Sequence, residues 1–101
     1  MISAAPVRSY LHDGRVPRIS TFYGIAIAMY YAEHGVPHFH ALYAGAEASI
    51  AIGTLEVLAG SLPERALRLV QEWASLHQAE LEANWQLARD GEPLEPVAPL
   101  A

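Results

Sequence analysis

The feature that most limits the possible fold is a two-residue alternation that begins at Gly24 and is interrupted by turn-forming residues. In GIAIAMYY, an extended chain points Ile25, Ile27 and Met29 to one side and the residues between them to the other. This period is typical of a strand with one buried face, and the interrupting Gly and Pro residues mark strand ends. The segment therefore predicts antiparallel strands.

Turn chemistry predicts how these strands pair. Gly35 and Pro37 favour a turn before a second strand, His38–Tyr43, and Ala44 with Gly45 can close a two-residue hairpin after it. The hairpin fixes the register, which should place Phe39 opposite Ile50, Ala41 opposite Ala48 and His40 opposite Ser49.

A further hairpin at Gly53 and Thr54 would lead into a short strand over residues 55–58. It would set Leu55 opposite Ile52 and Val57 opposite Ile50. The predicted sheet is thus an antiparallel β-meander of three to four strands. Its apolar face comprises Ile25, Ile27, Met29, Phe39, Ala41, Ile50, Ile52 and Val57.

Beyond the strands, apolar residues recur at helical spacing. Ser61 and Glu64 have the spacing of a capping box, and Pro63 falls in the first turn, where proline is tolerated. The pattern continues to Gly91, a residue type that often ends helices. We expect an α+β fold in which the sheet packs on a long C-terminal helix that is either continuous or broken near His77.

The length of 101 residues supports one domain, because a second core would be too small to be stable. Residues 1–16 lack periodicity and are predicted to form a flexible N-terminal extension, and residues 17–101 a single α+β domain. This domain ends in a proline-rich tail that Leu94 and Val97 could anchor along the core.

Composition narrows the class of function. The chain has no cysteine, which excludes disulfides, thiolate metal sites and cysteine nucleophiles. Six Lys and Arg residues against eleven Asp and Glu residues give a net charge of −5, which argues against nucleic-acid binding without a basic partner. No apolar run is long enough to span a membrane, so we expect a cytoplasmic protein.

Side chains suited to chemistry concentrate in residues 29–43, MYYAEHGVPHFHALY. Strand alternation places His38 and His40 side by side on the open face of the predicted sheet. Two imidazoles in this arrangement can bind a divalent metal such as Zn²⁺ or Ni²⁺. The candidates for a third ligand are Glu33, His34 and Glu47.

Two other interpretations of the cluster stay open. One histidine could act as a general acid or base, because imidazole titrates near neutral pH, which makes His38, His40, Glu33 and Tyr30 the candidate catalytic residues. Alternatively, the histidines and tyrosines form a hydrogen-bonded network that only holds the turn, since buried groups of both types need such partners.

The sequence between residues 17 and 100 contains the pattern P-x-I-S-x-F-Y-G-I, followed by M-Y-Y-x-E-H-x-x-P-H-F-H-A-x-Y. In this pattern the chain resembles a bacterial family of small proteins of unknown function. Such proteins are often encoded beside another small protein, in an arrangement resembling a toxin–antitoxin pair. The resemblance implies a two-component module and singles out Glu33, His34, His38 and His40 without giving them a role.

Two classes of function follow. We favour an interaction subunit of a toxin–antitoxin-like module, which would bind a homo-oligomer partner or a small neighbouring protein through a sheet edge or the far end of the helix. Trp85, far along that helix, is expected at the interface. The alternative is a small hydrolase or ribonuclease-like enzyme, with or without a metal, that uses His38 and His40; the acidic charge weighs against RNA.

Overall fold

A computed structural model describes residues 17–101, so the predicted extension over residues 1–16 lies outside the described residues. The elements, in chain order, are β1 (Arg18–Phe22), β2 (Ile25–Ala28), β3 (His38–Tyr43), β4 (Ala46–Ala51), β5 (Val57–Gly60), α1 (Glu64–Leu76) and α2 (Gln78–Arg89). The strands form one antiparallel sheet in the order β1-β2-β3-β4-β5. The predicted α+β class is confirmed, but five strands and two helices replace the three to four strands and single long helix.

Strand β1 is missing from the sequence-based prediction, which began the sheet at Gly24. Tyr23 and Gly24 have φ values of 51° and 78° and form the tight turn between β1 and β2. A register shift between Arg18 and Ser20 leaves the adjacent residues Ile19 and Ser20 both buried. The bulge therefore removes the alternation that would have indicated a strand.

The hairpin between β3 and β4 follows the prediction. Ala44 and Gly45 have φ values of 49° and 85°, as a two-residue turn compatible with strand twist requires. The three predicted pairs are present, namely Phe39 with Ile50, His40 with Ser49, and Ala41 with Ala48. This register directs Phe39 and Ile50 into the core, where both are fully buried.

The connection from β4 to β5 is longer than the predicted two-residue hairpin. Leu55 has a φ of 65°, and its amide donates to the carbonyl of Ala51 at 2.8 Å. The strand therefore begins at Val57, which pairs with Ile50 as predicted, whereas the β4–β5 ladder lacks the predicted pair of Leu55 with Ile52. Val57 is 37% exposed, so its assignment to the buried face is wrong.

The helical segment breaks at His77, where φ is −131° and ψ is 25°. Helix α1 has Pro63 at its N-cap and no side-chain cap hydrogen bond, so the predicted capping box of Ser61 and Glu64 is wrong. After the break, α2 packs on the core instead of extending past the sheet. Trp85 is consequently only 3% exposed within its own chain, and its predicted interface position is wrong.

The core lies between the helices and the face of the sheet that the alternation predicted. The largest fully buried side chains are Trp73, Phe39, Ile25, Ile27, Met29, Ile50, Ile52, Leu81, Val70 and Asn84.

No helix among residues 17–101 is long and apolar enough to cross a membrane.

The proline-rich tail lies along this core, as its apolar residues predicted. Val97 is buried, and its amide donates to the carbonyl of Ile19 on β1 at 2.8 Å. Leu94 packs against the same core. Asn84 on α2 donates to the carbonyl of Glu95 and accepts from its amide, at 2.9 and 2.8 Å. The tail is therefore held by specific hydrogen bonds as well as by apolar contacts.

Candidate metal centre

The site is assembled by strand β3 and by the connection that precedes it. His38 and His40 are two residues apart on β3, so both side chains project to the same side of the strand. Glu33 lies in the connection, between Ala32 with a φ of 63° and Gly35 with a φ of 91°. These two left-handed residues turn the chain and bring the carboxylate back to the imidazoles.

One oxygen of Glu33 contacts both rings. Its Oε1 atom is 3.0 Å from Nε2 of His38 and 2.7 Å from Nε2 of His40. The ligand atoms of the three residues all lie within 4.8 Å of one another. The side chains of His40 and His38 are 9% and 12% exposed and that of Glu33 is 28% exposed, so solvent reaches the cluster best beside Glu33.

The second nitrogen of each ring is also engaged. Nδ1 of His38 is 2.9 Å from the carbonyl oxygen of Val36. Nδ1 of His40 is 3.0 Å from Oε2 of Glu47 and 3.4 Å from Oγ of Ser49. Because a carbonyl oxygen can only accept, Nδ1 of His38 carries the hydrogen and donates it.

This arrangement leaves the two Nε2 atoms pointing at the same oxygen. A neutral imidazole has a single N–H group, and when Nδ1 carries it, Nε2 presents a lone pair. Lone pairs of His38 and His40 then converge with those of Glu33 Oε1, which is repulsive unless additional protons or a cation lie between them. A divalent ion would accept all three lone pairs while the Nδ1–H groups kept their acceptors.

Aromatic rings border the cluster. The ring centroid of Tyr30 is 4.3 Å from that of His40, and the ring centroid of Trp85 is 5.0 Å from that of His38. The sequence predicted that both histidines stand on an open sheet face. That exposure is wrong, since His40 is buried and α2 places Trp85 against His38.

The predicted ligands separate into three groups. Glu33, His38 and His40 converge, whereas His34 is exposed and outside the convergent group found among the described residues. Glu47 contacts the outer nitrogen of His40 instead of the point of convergence.

Two parts of the site were missed by sequence reasoning. The first is the backbone carbonyl of Val36, which accepts from His38. Every residue type has this acceptor, so no side chain in the sequence indicates it. Trp85 is remote in sequence from His38, and only the break at His77 brings the two rings together. The helical spacing of apolar residues, taken as one continuous helix, does not indicate that contact.

The described fold and cluster define a small α+β domain with a two-histidine, one-carboxylate site. The family profile named Domain of unknown function (DUF4160) matches residues 24–86, which is more than half of the chain, and the chain belongs to this family. The match spans the whole cluster and Trp85. No curated protein and no solved structure matches the chain. The resemblance to a family of unknown function is confirmed.

Proposed function

We propose that this protein is a metal-binding domain in which Glu33, His38 and His40 hold a divalent first-row ion such as Zn²⁺ or Ni²⁺. The observation that carries the proposal is the convergence of two Nε2 atoms on Glu33 Oε1, while the Nδ1 atoms are occupied by acceptors. In metal sites, ligating histidines donate their outer N–H to a carbonyl or carboxylate in the same way.

The donor set and its dimensions fit such an ion. Zn²⁺ binds nitrogen and oxygen at about 2.0–2.2 Å, which in a tetrahedral site separates ligand atoms by about 3.3 Å. Glu33 Oε1 is 3.0 and 2.7 Å from the two Nε2 atoms, slightly closer than this, and all three ligand atoms lie within 4.8 Å of one another. Two imidazoles favour Zn²⁺, Ni²⁺ or Cu²⁺ over Ca²⁺ and Mg²⁺, which prefer oxygen ligands.

The site is of the open type. Three side chains form the convergent group among residues 17–101, and a tetrahedral ion would keep a fourth position for water or substrate. Water bound to such an ion becomes a strong nucleophile at neutral pH, so the matching activity is metal-assisted hydrolysis. The net charge of −5 favours neutral or cationic substrates over polyanions.

Calorimetric titration of the chelator-treated full chain with Zn²⁺ and Ni²⁺ tests the proposal. We expect one ion per chain in the wild type and none in His38→Ala or His40→Ala. His34→Ala is the matched control, because His34 is exposed on the same connection and should not affect uptake. Ni²⁺ should also quench the fluorescence of Trp85, whose ring lies 5.0 Å from that of His38.

A purely structural network gives a different pattern. In that case the wild type takes up neither ion, and His38→Ala and His40→Ala destabilise the protein by about 1–3 kcal/mol through lost buried hydrogen bonds. Thermal melts run beside the titrations separate the two outcomes. Absence of uptake at neutral pH would refute metal binding.

A second candidate function, an interaction subunit, is favoured by the outer edge of β5. All four residues of β5 are exposed, none is charged, and no described strand pairs with that edge. Unprotected strand edges accept an added strand. We propose that a strand of the small neighbouring protein, as in a toxin–antitoxin-like pair, adds there. Leu58→Lys should then abolish co-purification, whereas Leu76→Lys, at an exposed leucine on α1, should not.

A further inference from the structure

Glu47 contacts His40 but is not one of the three candidate metal ligands. We propose that Glu47 is a positioning residue, which holds His40 so that its Nε2 atom faces the metal, and that strand β5 fixes the backbone from which Glu47 reaches. The inference rests on the proposed metal-binding function and names the side chain that controls affinity at that site.

The ladder geometry shows how Glu47 reaches the ring. Glu47 is opposite Leu42 and Ser49 is opposite His40, so Glu47 and His40 are diagonal neighbours on one face of the β3–β4 hairpin. Oε2 of Glu47 is 3.0 Å from Nδ1 of His40, whereas Oγ of Ser49 is 3.4 Å away. The carboxylate is the closer and stronger acceptor.

An acceptor at Nδ1 selects the tautomer that metal binding needs. It keeps the hydrogen on Nδ1 and leaves the lone pair of Nε2 directed at Glu33 Oε1. His38 obtains the same orientation from the backbone carbonyl of Val36, which no substitution removes. Among the described residues, Glu47 is therefore the side-chain carboxylate whose loss would release the orientation of His40 without removing a metal ligand.

The backbone of Glu47 is itself held by the end of β5 and by Ser61, the residue that follows it. The amide of Ser61 donates to the carbonyl of Glu47 at 3.2 Å. Gly60 lies so close that a Cβ atom there would be 2.1 Å from the same carbonyl oxygen. Gly60 also has a φ of 73°, a left-handed conformation that side chains disfavour. Strand β5 thus approaches Glu47 only because this position is glycine.

The exposure of the Glu47 side chain allows a positioning role to be distinguished from a purely structural one. The side chain of Glu47 is 47% exposed, and a partly solvated contact of this kind contributes little to folding stability. Loss of the carboxylate should therefore change metal affinity while leaving the melting temperature of the metal-free protein nearly unchanged. A residue that mattered only for folding would show the reverse.

The test compares Zn²⁺ affinities of full-length variants by competition with a chromophoric chelator. Glu47→Ala should weaken binding by about 10- to 100-fold, the range typical of lost outer-shell partners. Glu47→Gln keeps a neutral acceptor and should lose less. Glu56→Gln, which removes the same charge from an exposed position, should stay within about twofold, because Glu56 does not provide the main acceptor for Nδ1 of His40.

Nitrogen-15 NMR of the imidazoles gives an independent readout. In the Zn²⁺-loaded wild type, His40 should show a protonated Nδ1 and a metal-bound Nε2, and in Glu47→Ala the Nδ1 hydrogen should exchange faster with water.

The affinity measurements distinguish failure of the Glu47 inference from failure of the proposed metal binding. Wild-type uptake with unchanged affinity in Glu47→Ala overturns this inference alone, as does an equal loss in Glu56→Gln, which would show a bulk charge effect. Absence of wild-type uptake overturns the proposed function itself.

Discussion

Asn84→Ala should destabilise the whole domain, although Asn84 lies on α2 and not on a strand of the sheet. Asn84 is 1% exposed and makes two hydrogen bonds with the backbone of Glu95. Each such bond has a net worth of about 1 kcal/mol, and the groups left unpaired add a desolvation penalty, so we expect a loss of about 2–3 kcal/mol. For a domain of this size that lowers the melting temperature by roughly 10–20 °C.

Thermal melting and amide hydrogen exchange measure this effect together. The amide of Val97 donates to Ile19 and should lose protection in the variant, because the tail loses one of its attachments. Asn84→Asp keeps an acceptor for the Glu95 amide but places a buried carboxylate against the Glu95 carbonyl oxygen, so its loss should be at least as large as that of Asn84→Ala. Gln86→Ala, at an exposed position on the same helix, should remain within about 0.5 kcal/mol of the wild type.

The reasoning would be refuted if Asn84→Ala melted within about 2 °C of the wild type and kept Val97 protected, given the shift expected for two buried bonds. Loss of Val97 protection without a change in melting temperature would instead show that the tail opens independently, and that the estimate of a global effect is wrong.

Three further expectations concern the sheet and the metal centre. Ile50→Ala should cost about 2–5 kcal/mol by equilibrium denaturation because Ile50 is fully buried, while Ser49→Ala should cost about 0.5 kcal/mol; equal losses would mean a slipped register. Gly60→Ala should lower the free energy of unfolding by more than about 2 kcal/mol, because left-handed strain alone costs about 1–2 kcal/mol. Gly53→Ala, with open space around it, should be nearly neutral in the same assay. Zn²⁺ affinity, measured by titration across pH, should fall as the solution is acidified, because protons compete with the ion for the imidazole nitrogens; a flat profile would argue against histidine ligands.

Local turn chemistry accounts for the parts of the fold that the sequence predicted. Ala44 and Gly45 close a hairpin of the shortest kind, so the alternation on both sides fixes every pair between β3 and β4. The same logic failed at Leu55, whose left-handed φ lengthens the next connection, and at β1, where a bulge hides the period. A non-glycine residue in a left-handed conformation has no reliable signal in a single sequence.

Long-range packing accounts for the parts that the sequence missed. The break at His77 was foreseen as an alternative, but its consequence for Trp85 was not, because the direction of α2 depends on contacts with the whole core. The convergence of Glu33 with His38 and His40 was predictable because all three are close in the chain. The exclusion of His34 depends on the exact path of the connection, which spacing does not define.

The short sequence separation between Glu33 and Glu47 also affects the order in which the domain assembles. Among residues 17–101, Glu33, Glu47 and Ser49, whose side chains contact the ring nitrogens of His38 and His40, lie in one hairpin and the connection before it, so little loop entropy is lost in bringing these groups together. The cover provided by Trp85 requires a much more distant segment. Contacts of low sequence separation form early in folding, so the polar cluster should exist before α2 docks over it. Changes in α2 would then alter how the cluster is shielded, while its donor atoms stay the same.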